Sequence, residues 1–320
     1  MNILISGGCK NGKSSRAQEI ACELAAKTAK PPVYFATMIP HDGEDEERIQ
    51  NHREDRKNLG FETIETGADF MQALEKVEAG RVILFDSLTA LLANELFEGR
   101  SDFSLKKMQE DGPKILQKIE GGLEKLIKKS DSLVFVSDTI FCDGKYDEIT
   151  ELYKKTLAQI ENFVAEKCDK VYEMVGKMAV SKKISILRAE SVDLEMETLG
   201  KRHVLVLGGA WQGKTAFARE KFSLKDEEIF VCGQESEPDF SKRCISHYEN
   251  YVAWCLKHQS EPQTEFSGSK IIICDDIFCG IVPVDAFQRR LREKTGLALQ
   301  KIAENAVLYR VFCGRAEEIK

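Results

Sequence analysis

The sequence predicts an α/β fold with mainly parallel sheets, built as two tandem domains. Three observations carry this. Short runs that are apolar throughout alternate with helical patterns, which is how strands covered on both faces read. A glycine-rich loop, "GGCKNGKSS", follows the first such run. A second loop, "GGAWQGKTA", recurs about 200 residues later after "HVLVLG".

The strand candidates in order are "NILIS", "PVYFAT", "RVILFDS", "SLVFVSD" and "KVYEMV". Helical patterns lie between them, including "SSRAQEIACELAAKTA" and "YDEITELYKKTLAQIENFVAEKC". "MQEDGPKILQKIEGGLEKLIKKS" reads as a surface helix broken by Gly and Pro, with lysines on a solvated face. In the second half, "HVLVLGG" answers "NILISGG", and "IIICDDIFCGI" answers "VFVSDTIFCDG". Each half then has a long helix and a last strand, "DKVYEMVGK" and "AVLYRVFCG". The pattern is a degenerate duplication. Its joint falls in the mixed segment Ile184–Arg202, giving domains over 1–185 and 201–320.

Composition limits the function. The 320 residues allow two ordinary cores. Apolar residues at 42% and charged residues at 31% suit a globular chain. A net charge of −7 argues against nucleic acid as the main partner. No apolar run reaches the roughly 18 residues of a membrane span. The N-terminus has no signal-peptide pattern, so a cytoplasmic location is expected. The ten cysteines form no CxxC pair, and several sit in apolar runs, as buried reduced thiols do.

Both loops fit G-x-x-x-x-G-K-[ST] between a strand and a helix. Such a loop turns backbone N–H groups inward, and the next helix adds its positive end. Gly7, Gly8, Gly12, Lys13, Ser14 and Ser15 are the nucleotide-phosphate candidates of the first loop. Gly208, Gly209, Gly213, Lys214 and Thr215 are those of the second. Lys13 would reach the β- and γ-phosphates, and Ser14 would offer its hydroxyl to Mg²⁺. Asp86, at the end of "RVILFDS", is the second magnesium candidate, with capping of the next helix as its alternative role. Asp275 and Asp276 correspond to Asp138 and Thr139 of the first half.

"DEERIQNHREDR" reads as a helix that sets Arg48, His52 and Arg56 on one face. A histidine flanked by arginines suits nucleotidyl transfer. Ordinary i, i+4 pairs on a solvated helix explain the same residues.

"SGGCKNGKS", "YFAT", "DEERIQNHREDR" and "FDSLTALLANELF", in this order and spacing, resemble the adenosylcobinamide kinase / adenosylcobinamide-phosphate guanylyltransferase family of cobalamin biosynthesis. The resemblance covers residues 2 to about 183. Residues 203–320 resemble a shortened member, with "DDIFCGIVPVDAFQRRLREKTG" similar to the family's late motif. The resemblance implies a RecA-like P-loop fold and two reactions. A nucleoside triphosphate, with Mg²⁺, phosphorylates adenosylcobinamide; GTP then donates GMP, giving adenosylcobinamide-GDP. The catalytic residues it implies are His52, as carrier of the covalent GMP, with Lys13 and Asp86. It also implies nucleotide and corrinoid partners and assembly into homo-oligomers, since members form trimers.

Two departures stand out. Some members carry adjacent histidines where this chain has Asn51 and His52. If the earlier residue is the nucleophile, the chain is a kinase only. The first half keeps Asp138 but not the G-I-V-P run, whereas the second keeps Asp275, Asp276, Gly280 and Pro283 without the R-I-x-x-H segment. A shared site completed by both halves, or a non-catalytic nucleotide-binding protein built from two decayed copies, also accounts for this pattern. His247 and His258 read as ordinary helix residues, and Tyr251 and Trp254 as packing.

Overall fold

The computed structural model describes residues 1–8, 12–28, 30–40, 50, 53–54, 56, 59–66, 70–142, 146–175, 178–182, 202–233, 239–277 and 285–319. Contacts divide the chain into two compact units. The first is Met1–Ile140 with Tyr146–Lys182, and the second is Phe141–Lys145 with Lys183–Lys320.

The first unit runs β1 (Asn2–Gly7), α1 (Lys13–Ala25), β2 (Val33–Ala36), β3 (Glu62–Glu65), α2 (Phe70–Glu75), β4 (Val82–Asp86), α3 (Leu88–Phe97), α4 (Leu105–Lys129), β5 (Ser132–Asp138), α5 (Glu148–Glu166), β6 (Lys170–Val175) and β7 (Met178–Lys182). Its seven strands lie in the order β3-β2-β4-β5-β1-β6-β7. All pairings are parallel except the final β6–β7 hairpin.

Alternation explains the continuous apolar runs. Ile3, Ile5, Val82, Leu84, Val134 and Val136 pack with Ala17, Ile20, Ala21 and Leu24 of α1. The intervening Leu4, Ile83, Phe85, Leu133 and Phe135 are also buried, so both faces of the sheet are covered. Phe85 stacks on Phe35 at 5.2 Å between centroids and meets Phe70 edge-on at 6.0 Å.

The reading of residues 108–130 as a broken surface helix is corrected. α4 is one helix of 25 residues with Pro113 inside it. A proline there costs about 3 kcal/mol through a lost donor and a crowded carbonyl. Met108, Ile115, Ile119, Leu123 and Leu126 are buried along one stripe, and each such burial contributes about 1.5–3 kcal/mol. The stripe outweighs the proline. Gly122 is required for close approach: a Cβ there would lie 2.4 Å from the Phe70 ring.

The second unit runs β8 (His203–Gly208), α6 (Lys214–Phe222), β9 (Ile229–Val231), β10 (Cys244–Ser246), α7 (Tyr248–Lys257), β11 (Ile271–Asp275), α8 (Ala286–Glu304), β12 (Ala306–Phe312) and β13 (Arg315–Glu318). Its strand order is β13-β12-β8-β11-β10-β9, again parallel apart from the last hairpin. Read from the other edge, this is the first unit's order with no counterpart of β3 among the described residues. One face packs Val204, Val206, Ile271 and Ile273 on Phe217, Ala218 and Phe222. The other packs Leu205, Ile272 and Cys274 on Tyr248, Tyr251, Val252, Leu299 and Ile302.

Among the described residues the cysteines are free thiols. Burial pushes Cys232 and Cys244 up to about 12, as inert core thiols require. Among the described residues no helix is long and apolar enough to cross a membrane.

Replacing Gly122 with Ala drives a methyl group into Phe70. The expected loss is about 1–3 kcal/mol in urea denaturation. Gly121→Ala, which meets nothing within 4 Å, is the control and should hold or gain stability.

Candidate functional site

The described residues of both P-loops stand at the carboxyl ends of their parallel strands, where ligands collect in such sheets. Gly12 adopts φ 89°, ψ 13° before α1, and Gly213 adopts φ 89°, ψ 12° before α6. That left-handed conformation suits glycine and lets the chain turn from loop into helix.

The lysines are held in the same way. Lys13 Nζ donates to the Gly8 carbonyl at 2.6 Å and pairs with Asp138 Oδ1 at 2.9 Å. Lys214 Nζ donates to the Gly209 carbonyl at 2.6 Å and pairs with Asp275 Oδ1 at 2.6 Å. The register explains the repeat. Gly7 lies beside Asp138 on β5, and Gly208 lies beside Asp275 on β11. Both lysines are buried, so each ammonium group needs a compensating carboxylate. Sequence reasoning matched the two aspartates to each other but did not assign them as partners of the lysines. The signal was "D-x-I-F-C" after each of the two strands adjacent to the loop strands.

Ser14 is half-buried in the first turn of α1, and Ser15 is exposed. Below the loop, Ser6 Oγ lies 3.0 Å from Thr139 Oγ1 and donates to the fully buried Glu161 at 3.1 Å.

Asp86 ends β4 and does not cap the next helix. Ser87 does, accepting from the Ala90 N–H at 3.2 Å. Asp86 Oδ2 instead accepts from the Tyr34 phenol at 2.8 Å. Burial and the neighbouring Asp86 carboxylate hold the Tyr34 hydroxyl well above its usual range, so it stays a donor. Thr37 of "YFAT" fastens this edge: its Oγ1 accepts from the Ser87 N–H at 2.6 Å, and its carbonyl accepts from Asn94 Nδ2 at 2.6 Å.

Gln50, Arg53, Glu54 and Arg56 are helical. Arg56 is buried, with its guanidinium 3.4 Å above the Tyr34 ring. Its Nη1 has no hydrogen-bond partner among the described residues. Tyr34 thus brings Arg56 and Asp86 to one place. His52, Arg48 and Asn51 lie outside the described residues, as do Gly280 and Pro283.

The sequence model of the cobinamide kinase / cobinamide phosphate guanyltransferase family matches residues 3–181, the whole of the first P-loop sheet. The chain belongs to that family. Bifunctional adenosylcobalamin biosynthesis protein CobP of Pseudomonas aeruginosa is 29% identical over 173 residues, which cover 53% of this chain and 91% of that protein. Residues 183–320 lie beyond the family match. Two solved structures show a fainter likeness. The KaiC-like protein PH0186 of Pyrococcus horikoshii OT3 has 15% identity and a TM-score of 0.29, covering 59% of this chain and 79% of its own. The flagellar accessory protein FlaH of Methanocaldococcus jannaschii has 13% identity and a TM-score of 0.28, covering 57% and 75%. Likeness at that level is too slight to argue from.

The reading of His247 as an ordinary helix residue is corrected. It precedes α7 in the left-handed region, φ 56°, ψ 51°. Its Nδ1 lies 3.0 Å from Glu249 Oε1 and 4.0 Å from Asp275 Oδ2. Among the described residues, His247, Glu249 and Asp275 are one group whose ligand-type atoms lie within 4.8 Å of one another. His247 Nδ1 and the two carboxylates are engaged with each other and with Lys214. His258 is ordinary: its Nδ1 donates to the Trp254 carbonyl at 2.9 Å, and its ring stacks on Trp254.

Asp138→Ala leaves Lys13 buried with only a carbonyl. Because Asp138 is partly exposed, the expected loss is about 1–2 kcal/mol in urea denaturation, below that of a fully buried pair. Saturating nucleotide should recover part of it, since phosphate takes the carboxylate's place.

Proposed function

We propose that the first unit carries both reactions of its family on one P-loop edge. A nucleoside triphosphate phosphorylates the terminal hydroxyl of the aminopropanol arm of adenosylcobinamide. GTP then gives GMP to that phosphate, yielding adenosylcobinamide-GDP and pyrophosphate. The observation that carries this is the juxtaposition at the sheet edge: Lys13 on Gly8 and Asp138, and Arg56 joined to Asp86 through Tyr34.

The roles follow from chemistry. Gly7, Gly8, Gly12 and Ser15 form the backbone cradle, and Lys13 neutralises the transferred phosphoryl group. Ser14 and Asp86 suit Mg²⁺, a hard cation that takes hydroxyl and carboxylate oxygen and keeps several waters. Bound there, it would neutralise phosphate charge. Arg48 and Arg56 meet phosphate oxygens. His52 supplies the imidazole nitrogen that attacks the α-phosphorus; an N–P bond forms as the bond to pyrophosphate breaks. Adenosylcobinamide phosphate then takes GMP from the histidine. The second unit, over 201–320, is a shortened copy of the same family in which Gly208, Gly209, Gly213, Lys214 and Thr215 bind nucleotide. A cytoplasmic location, with its supply of both nucleotides, suits these reactions.

Asn51 before His52 favours a second reading, a kinase without guanylyl transfer. Incubation with α-labelled GTP followed by a denaturing gel separates the two. The expected result is acid-labile label on the full chain, absent from His52→Ala. That variant should still phosphorylate adenosylcobinamide within a few-fold of the parent. Lys13→Ala should lower both reactions by about 10²-fold or more. No label on the parent chain, with phosphorylation intact, would select the kinase-only reading.

A further inference from the structure

We propose that the second P-loop is a separate phosphoryl-transfer site for a nucleoside triphosphate, in which His247, oriented by Glu249, is the general base. This rests on the reading of the second loop as a nucleotide site and adds transfer to water, which the first loop's two reactions do not include.

The placement is specific. β10 holds in its sheet the position that β4 holds in the first, separated from the loop strand by one strand. The residue after β4 is Ser87, which spends its side chain capping α3. The residue after β10 is His247, which makes no capping bond and whose side chain is 38% exposed. Backbone strain at this non-glycine residue turns it out of the strand line. Through Asp275 it stands next to the lysine that receives the terminal phosphates.

The hydrogen bonds set its tautomer. With the Glu249 carboxylate as acceptor, Nδ1 carries the proton toward Glu249 and Nε2 keeps a lone pair. Glu249 is itself buried and fixed, since its Oε2 accepts from the Asp275 N–H at 3.0 Å. A base oriented by a carboxylate that is held in turn by the backbone is the arrangement that general-base catalysis needs. The loop carries a further donor: Gln212 is 1% exposed, its Oε1 accepts from the Cys313 N–H at 2.7 Å, and its Nε2 has no partner among the described residues.

The step balances with water as acceptor. Nε2 takes a proton from water as the oxygen bonds to the γ-phosphorus. The bond from that phosphorus to the bridging oxygen breaks. The nucleoside diphosphate leaves with the electron pair, its charge met by Lys214. The imidazolium then releases its proton to solvent.

Trp211 lies in this loop and is exposed, and the chain's only other tryptophan is Trp254. The test uses the full chain with Lys13→Ala, which silences the first loop, and Trp254→Phe, which leaves Trp211 as the single reporter. Mg-ATP and Mg-GTP are titrated by fluorescence, and phosphate release is measured. The expected result is a saturable Trp211 signal and measurable hydrolysis. Adding His247→Ala should keep the signal and lower the rate by about 10²-fold or more. Adding Lys214→Ala should remove both.

Glu249 acts through His247, so its readout is the pH profile. The charged groups facing the imidazole are Glu249 on α7, Asp275 on β11 and Lys214 on α6. The hydrogen bond to Glu249 is the main cause that raises the His247 pKa. Glu249→Gln should therefore move the acidic limb of the rate to lower pH, which lost packing alone would not do. An absent Trp211 signal, binding without hydrolysis, or hydrolysis indifferent to His247→Ala each overturns the proposal. The GMP-labelling of the first unit is read separately and survives any of these outcomes.

Discussion

One electrostatic contact organises both units: a buried P-loop lysine held by the carboxylate at the end of the neighbouring parallel strand. Lys13 with Asp138 and Lys214 with Asp275 make it at 2.9 and 2.6 Å. An ammonium group taken out of water needs a compensating charge. The aspartate supplies it without ligand, and the same need makes the lysine a strong receiver of phosphate. The contact also demands a parallel register that puts the loop glycine beside the aspartate, which in turn demands strands buried on both faces. The apolar runs, the covering helices and the chemistry are thus linked by one requirement.

Much of this was legible in the sequence because it depends on local pattern. The apolar runs of β1, β2, β4, β5 and β6 and the G-x-x-x-x-G-K-[ST] loops announce strand, turn and helix in order. What was not legible depends on tertiary context. β3 reads Glu-Thr-Ile-Glu and is mostly exposed at a sheet edge, so it has no apolar signature. α4 survives Pro113 because its buried stripe outweighs a local penalty. Asp138 could be matched to Asp275 by sequence, but its bond to Lys13 needs the register. His247 looks like any helix-flanking histidine until β10 and β11 are paired and Asp275 comes within 4.0 Å. Strands β1, β2, β4, β5 and β6 and the Gly12–Lys13 turn into α1 lie where the motifs put them, whereas residues 9–11, Arg48 and His52 lie outside the described residues.

The two units share a strand order and differ in what surrounds the loop. The first, which carries the family match, adds β3, the segment with Arg56, and the Tyr34–Asp86 pair. Among its described residues the second has no counterpart of those, and it has a carboxylate-oriented imidazole after β10. The two units keep the lysine contact and differ in the groups that flank it. On this account the chain holds two nucleotide sites of unlike chemistry.

The most direct measurement is the stoichiometry of a non-hydrolysable Mg²⁺-GTP analogue by titration calorimetry on the full chain. The account predicts two sites per chain, one remaining in Lys13→Ala and one in Lys214→Ala, with neither in the double variant. A single site per chain that Lys214→Ala leaves untouched would contradict it.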